Sequence, residues 1–144
     1  MFTKWHDVAP HIYRCGGRGN LDDVALNYVN RKVNKIIRYT PDNEDRWQTP
    51  QQTLALGKGD CEDYAILKMD LLGRIFEGCQ TDLAITQVRL TGEIHAVAVV
   101  RSVNGNDRFL DNLSEVVLTK DRYQRLYREV YVIGFNGWKR SRGE

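Results

Sequence analysis

Apolar positions follow a helical rhythm in the first half of this chain and a strand rhythm in the second. From Leu21 to about Arg38, Leu21, Val24, Tyr28, Val29, Val33, Ile36 and Ile37 recur near helical spacing, with Arg31, Lys32, Lys35 and Arg38 mostly elsewhere. That spacing predicts a scaffold helix. Asn20 is its candidate cap, following a glycine-rich bend at Gly16, Gly17 and Gly19. Asn27, Asn30 and Asn34 are unusually polar for such a helix and read as structural groups bonded to a neighbouring loop. Thr40 to Asp45 is loop chemistry, and Pro50 after Thr49 opens a short helix, Gln51 to Leu56. Trp47 in this connection reads as packing, with a groove wall as the alternative.

A second helical pattern runs from Cys61 to Glu77. At about 100° per residue, Cys61, Ala65, Met69, Leu72, Ile75 and Phe76 share one side, and Asp63, Asp70, Arg74 and Glu77 the other. Lys68 falls inside the apolar arc without an evident reason. Ahead of this helix stands Gly57-Lys58-Gly59-Asp60, in which Asp60 can act as N-cap and Asp63, three residues on, can complete a capping box.

Beyond Glu77 the period changes to that of strands. Leu83 to Leu90 is rich in β-formers, and Ile94 to Arg101 is nearly continuous in apolar residues, as expected of a central strand covered on both faces. Asn104-Gly105-Asn106 then turns the chain into a hairpin partner, Arg108 to Leu113. A short polar helix from Thr119 to Tyr127 and a closing strand, Glu129 to Phe135, complete the pattern. Trp138 is expected to pack at its end, and Lys139-Arg140-Ser141-Arg142 to be a solvated basic terminus.

The chemistry concentrates at Cys61. A thiol at a helix N-terminus faces the positive end of the dipole, which favours the thiolate, but Asp60, Glu62 and Asp63 oppose it. Those acids are either ordinary first-turn residues or the oxygen ligands of a hard divalent cation such as Ca²⁺. Alone, His95 on its strand reads as a satisfied core residue, and Asp111 as a buried acid in need of a partner. Together, Cys61, His95 and Asp111 are the parts of a nucleophile, a base and the group that orients the base. The backbone N–H of Cys61 is a candidate oxyanion donor. Register decides whether the three can meet. A three-residue turn at 104–106 places Asp111 opposite Val99, roughly 13 Å from His95 along the strand, whereas a turn centred near Val103, or a bulge, places it opposite His95. The sequence leaves both open.

Composition narrows the class. With 144 residues, 42% hydrophobic and 28% charged, one domain with a real core is expected. A formal net charge of +2 is too small to argue for nucleic acid. The three cysteines, Cys15, Cys61 and Cys79, show no CxxC and no pairing pattern, so neither a disulfide framework nor a zinc site is indicated and a reducing compartment is favoured. No signal peptide and no membrane span are evident, so the chain as written is expected in the cytoplasm, or in the periplasm if a leader has been removed.

Asp45-Arg46-Trp47-Gln48-Thr49-Pro50, Gly57-Lys58-Gly59-Asp60-Cys61-Glu62-Asp63-Tyr64-Ala65-Ile66-Leu67-Lys68, His95-Ala96-Val97 and Leu110-Asp111-Asn112-Leu113 resemble, in order and spacing, the bacterial transglutaminase-like cysteine peptidases. The Gly-Asp-Cys-Glu-Asp-Tyr block is the specific part. The resemblance implies an α+β papain-like or transglutaminase-like core, with the nucleophile helix on an antiparallel sheet. It implies a Cys61, His95, Asp111 triad, Ca²⁺ near Asp60 and Glu62, and a protein or peptide substrate. The best-known members are calcium-dependent periplasmic proteases that clip a surface adhesin. No export leader is evident at the start of the sequence as written, so a shorter relative of phage or prophage origin is an expectation beside the periplasmic one. The expected activity is a thiol endopeptidase. Its rivals are an acyltransferase or peptidoglycan-directed amidase with the same triad, and a non-catalytic calcium-dependent binding module. Neither the substrate sequence nor a regulatory receptor is legible.

Overall fold

A computed structural model describes residues 13–14, 23–41, 47–77, 80–102, 105–134 and 137–140. The glycine-rich bend, the Asn20 cap, Asp45, Arg46, Cys15 and Cys79 lie outside them. The helices are α1 (Asp23–Ile36), α2 (Pro50–Leu56), α3 (Cys61–Ile75) and α4 (Lys120–Leu126). The longer strands are β5 (Thr81–Val88), β6 (Ile94–Val100), β7 (Arg108–Leu110), β9 (Tyr127–Gly134) and β10 (Gly137–Arg140). Two-residue strands complete the set: β1 (Tyr13–Arg14), β2 (Arg38–Tyr39), β3 (Lys58–Gly59), β4 (Phe76–Glu77) and β8 (Leu118–Thr119).

One sheet of six strands, order β10-β9-β5-β6-β7-β8, carries the architecture, with antiparallel neighbours throughout. The near-continuous apolar run at β6 has the predicted cause. Ala96, Ala98 and Val100 enter a core shared with α1 and α3, while Val97 and Val99 enter a second core with Phe109, Leu118, Tyr123 and Tyr127. Helix α3 therefore lies on one face of an antiparallel sheet, as expected for the α+β class. Its own apolar side extends further round than the predicted stripe, since Tyr64, Leu67, Lys68 and Leu71 are buried as well. Burying a Leu or Val of this kind contributes roughly 1.5–3 kcal/mol, so these two cores dominate the stability.

The structure corrects several element boundaries. The first helix is described from Asp23 to Ile36, because the chain turns at Ile37 and pairs as β2 with β3. The Cys61 helix ends at Ile75, where Phe76–Glu77 pairs in parallel with Tyr13–Arg14. Lys139 and Arg140, read as terminus, continue the backbone of β10 against β9. Thr49 caps α2 in a reciprocal box with Gln52, and Gly57 ends it in the left-handed region at φ 68°, which a side chain would strain.

Candidate active site

The approach to Cys61 is built from glycine and acid. Backbone hydrogen bonds from Arg38 N to Gly57 O (2.9 Å) and Thr40 N to Gly59 O (2.8 Å) hold the two short strands β2 and β3 side by side. The Asp63 carboxylate then folds back over Gly59. It accepts from Asp60 N at 3.0 Å and from Gln48 N at 2.8 Å, while Asp60 Oδ1 accepts from Asp63 N at 3.3 Å. This is the predicted capping box, with aspartate in the role usually taken by Glu or Gln. A Cβ at position 59 would stand 2.6 Å from Asp63 Cβ, so the box closes only over glycine.

Cys61 is therefore fixed in the first turn of α3, and it is free of any disulfide. Its Sγ lies 3.3 Å from Glu62 Oε2. Burial pushes the thiol up to about 12, and the charge of Glu62 adds to it, whereas the Ala96 N–H pulls the other way. The helix dipole thus does not prevail here. Burial and the flanking acids leave the sulfur protonated at neutral pH.

Ala96 follows His95, so the sulfur sits against the strand that carries the imidazole. His95 Nε2 lies 2.7 Å from Asp111 Oδ1. With its proton on Nε2 donated to the carboxylate, neutral His95 keeps Nδ1 as its free basic nitrogen. Asp111 also accepts from Leu113 N at 3.0 Å and from the Tyr127 hydroxyl, in a short hydrogen bond at Oδ2. Burial pushes Asp111 up, but hydrogen bonds, from His95 first, and the charge the ring carries when protonated outweigh burial and hold the carboxyl below its ordinary range.

Neither register left open by the sequence is adopted. Pairing runs Ala98↔Leu110, Val99↔Phe109 and Val100↔Arg108, one step between the two alternatives. Continued past Leu110, it brings Asp111 opposite Val97, diagonal to His95 on the same face. Diagonal neighbours stand about 7–8 Å apart at Cα, which two side chains of this length close into a hydrogen bond. The strand Arg108–Leu110 is also shorter than expected, ending because the Asp111 side chain caps its own turn at Leu113 N.

Tyr127 was not singled out from the sequence as a site residue. It stacks on His95 at 5.2 Å between ring centroids. Its placement depends on a bulge. Ile85 pairs with Tyr131, yet Thr86 pairs with Glu129, so β9 carries one extra residue there. That residue reverses the alternation and turns Tyr127 to the His95 face. Tyr39 was missed too. It stands half exposed beside Tyr64, and burial followed by the charges of Cys61, Asp60 and Glu62 raises its hydroxyl pKa.

The three asparagines of α1, read as structural groups bonded to a neighbouring loop, are bonded to one. Asn30 Nδ2 donates to Ser114 O at 2.7 Å, Asn34 Nδ2 to the carbonyls of Asp111 and Ser114 at 3.1 Å each, and Val117 N to Asn27 Oδ1 at 2.7 Å. The loop they bind is the one bearing Asp111. Trp47 meets both readings, packing against the main core and lining a cleft of about 570 Å³ with Thr40, Gln48, Lys58 and Asp63.

The pair named for calcium shares a charge conflict. Burial, together with the neighbouring Glu62, pushes Asp60 up to about 6. Two carboxylates in that position suit a hard, oxygen-seeking cation. Among the described residues, no group of three or more His, Cys, Asp or Glu side chains forms a metal cluster.

The sequence pattern of the bacterial transglutaminase-like cysteine proteinases matches residues 20–131. This chain belongs to that family. It is therefore a cysteine protease of the transglutaminase-like kind, acting on protein. Calcium-bound LapG of Legionella pneumophila shares its fold, with a TM-score of 0.77 and 24% identity over 99% of this chain and 80% of that one. EGTA-treated LapG of the same organism gives a TM-score of 0.76 and 23% identity over 98% and 76%. No curated protein sequence matches the chain. No helix among the described residues is long and apolar enough to cross a membrane.

Proposed function

We propose that this protease is a thiol endopeptidase working through an acyl-enzyme on Cys61, with His95 as general base and acid and Asp111 as the orienting carboxylate. The observation that carries the reading is the 2.7 Å bond from His95 Nε2 to Asp111, next to Ala96, which shares a core cluster with Cys61. Because the thiol rests protonated, it needs a base. Nδ1 takes the proton as sulfur attacks the peptide carbonyl, and Asp111 stabilises the imidazolium that forms. The N-terminus of α3, including the backbone N–H of Cys61, faces the developing oxyanion. The proton then returns from Nδ1 to the leaving amine, and water, activated by the same nitrogen, hydrolyses the thioester.

Calcium at Asp60 and Glu62 is part of this reading, supported by their mutual repulsion and by the calcium-bound state of the similar LapG. The ion would supply positive charge next to the sulfur, lowering the thiol pKa that the two carboxylates now raise.

Peptide hydrolysis is measured with wild type, Cys61→Ala and His95→Ala, with calcium and with EGTA. Both variants are expected to be folded and inactive, and EGTA to slow wild type. Incorporation of an added amine would redirect the assignment to acyl transfer. Limiting iodoacetamide in calcium should label Cys61 ahead of Cys15 and Cys79, and equal labelling with no turnover would leave a binding module.

A further inference from the structure

Among the described residues, Lys68 is one of the largest fully buried side chains, at 0% exposure on the α3 helix. Its ammonium donates to Asn30 Oδ1 at 2.7 Å and lies 5.8 Å from the Tyr64 ring centroid. Burying an ammonium is expensive, and here burial lowers the lysine to about 7, with Asp111 the charge that opposes the shift. An apolar residue of similar volume would serve packing better. The side chain therefore calls for a reason beyond the core.

Asn30 supplies one. An amide can present either its oxygen or its nitrogen to a neighbour, but an ammonium only donates. Lys68 thus fixes Asn30 with its oxygen inward, and the Nδ2 group is left to bind Ser114 O at 2.7 Å. Ser114 O also accepts from Asn34, which binds Asp111 O, and Ser114 N donates to Asp111 O at 3.3 Å. The turn from Asp111 to Ser114 is held at both ends by α1.

We propose that Lys68 is a positioning residue for the acid of the site, orienting Asn30 so that α1 holds the turn bearing Asp111 against His95. This rests on the triad reading above. Without the ammonium, the Asn30 amide is free to turn over, the Ser114 carbonyl loses its shortest donor, and the Asp111 carboxylate drifts from Nε2. Displacements of about 1 Å at such a pair cost on the order of 100-fold in rate.

Two variants and two measurements test it. Lys68→Met removes the ammonium at similar volume. Asn30→Asp keeps an acceptor for Lys68, now charged, and deletes the donor to Ser114 O. Each is expected to lower kcat roughly 10- to 100-fold with KM within about threefold, while circular dichroism and thermal melting report a folded chain. The second measurement needs no substrate: in a Cys61→Ala background, the downfield ¹H resonance of the His95–Asp111 hydrogen bond should shift or broaden in both variants. Wild-type kcat in either folded variant, a loss carried by KM, or an unchanged resonance would overturn the proposal. If Lys68→Met fails to fold, Asn30→Asp decides alone. Should wild type prove unable to hydrolyse peptides, the resonance still judges the clamp separately from the activity.

Discussion

Adding one methyl group at Gly59 should dismantle the entry to α3. The new Cβ would stand 2.6 Å from Asp63 Cβ and 2.8 Å from Asp63 Oδ2, too close for either to remain. Forcing side chain and backbone apart costs about 1–3 kcal/mol by overpacking. If Asp63 swings away, Asp60 N and Gln48 N lose their acceptor, adding about 1 kcal/mol for the cap and a comparable amount for the second bond. Gly59→Ala is thus expected to lose about 3 kcal/mol, a drop in Tm on the order of 10 °C. Urea denaturation followed by circular dichroism measures it. A double-mutant cycle identifies the cause: with Asp63→Gly already present the clash is gone, and Gly59→Ala should then cost less than about 0.5 kcal/mol. An unchanged midpoint for Gly59→Ala, or an equal loss in both backgrounds, would refute the close approach as the reason for glycine.

Asp111→Asn keeps the shape but puts an amide where Nε2–H, Leu113 N and the Tyr127 hydroxyl all donate, so kcat should fall about 10³- to 10⁴-fold with little change in KM. Tyr127→Phe removes one donor from Asp111 and keeps the ring on His95; steady-state kinetics should show a loss in kcat of about tenfold or less. Lys68 gives a pH signature. Its folded pKa of about 7 lies below its unfolded value, so the unfolded chain binds more protons between them. Stability from this group is therefore present above the unfolded pKa and lost as pH falls toward 7. Denaturation midpoints of wild type should rise from pH 7 to 10 relative to Lys68→Met, and parallel curves would contradict that reading.

Much of the scaffold and all three proposed reacting groups were legible because they depend on local rules. Helical and strand periods located α1, α3, β5 and β6 to within a few residues, since each buries one face or both. The capping box at Asp60 and Asp63 followed from spacing alone, as caps involve residues one turn apart. What only the tertiary structure decided is how distant segments register. The His95–Asp111 pair depends on a hairpin offset between the two the sequence allowed, and Tyr127 reaches His95 through one extra residue in β9. A one-residue slip moves a side chain to the other face of a sheet, yet it leaves no mark in the alternation of the strand that slips. Lys68 is the same lesson in a helix. Its place in the apolar arc was plain, but its partner Asn30 lies 38 residues away, and nothing local announces a contact made only when α1 packs on α3.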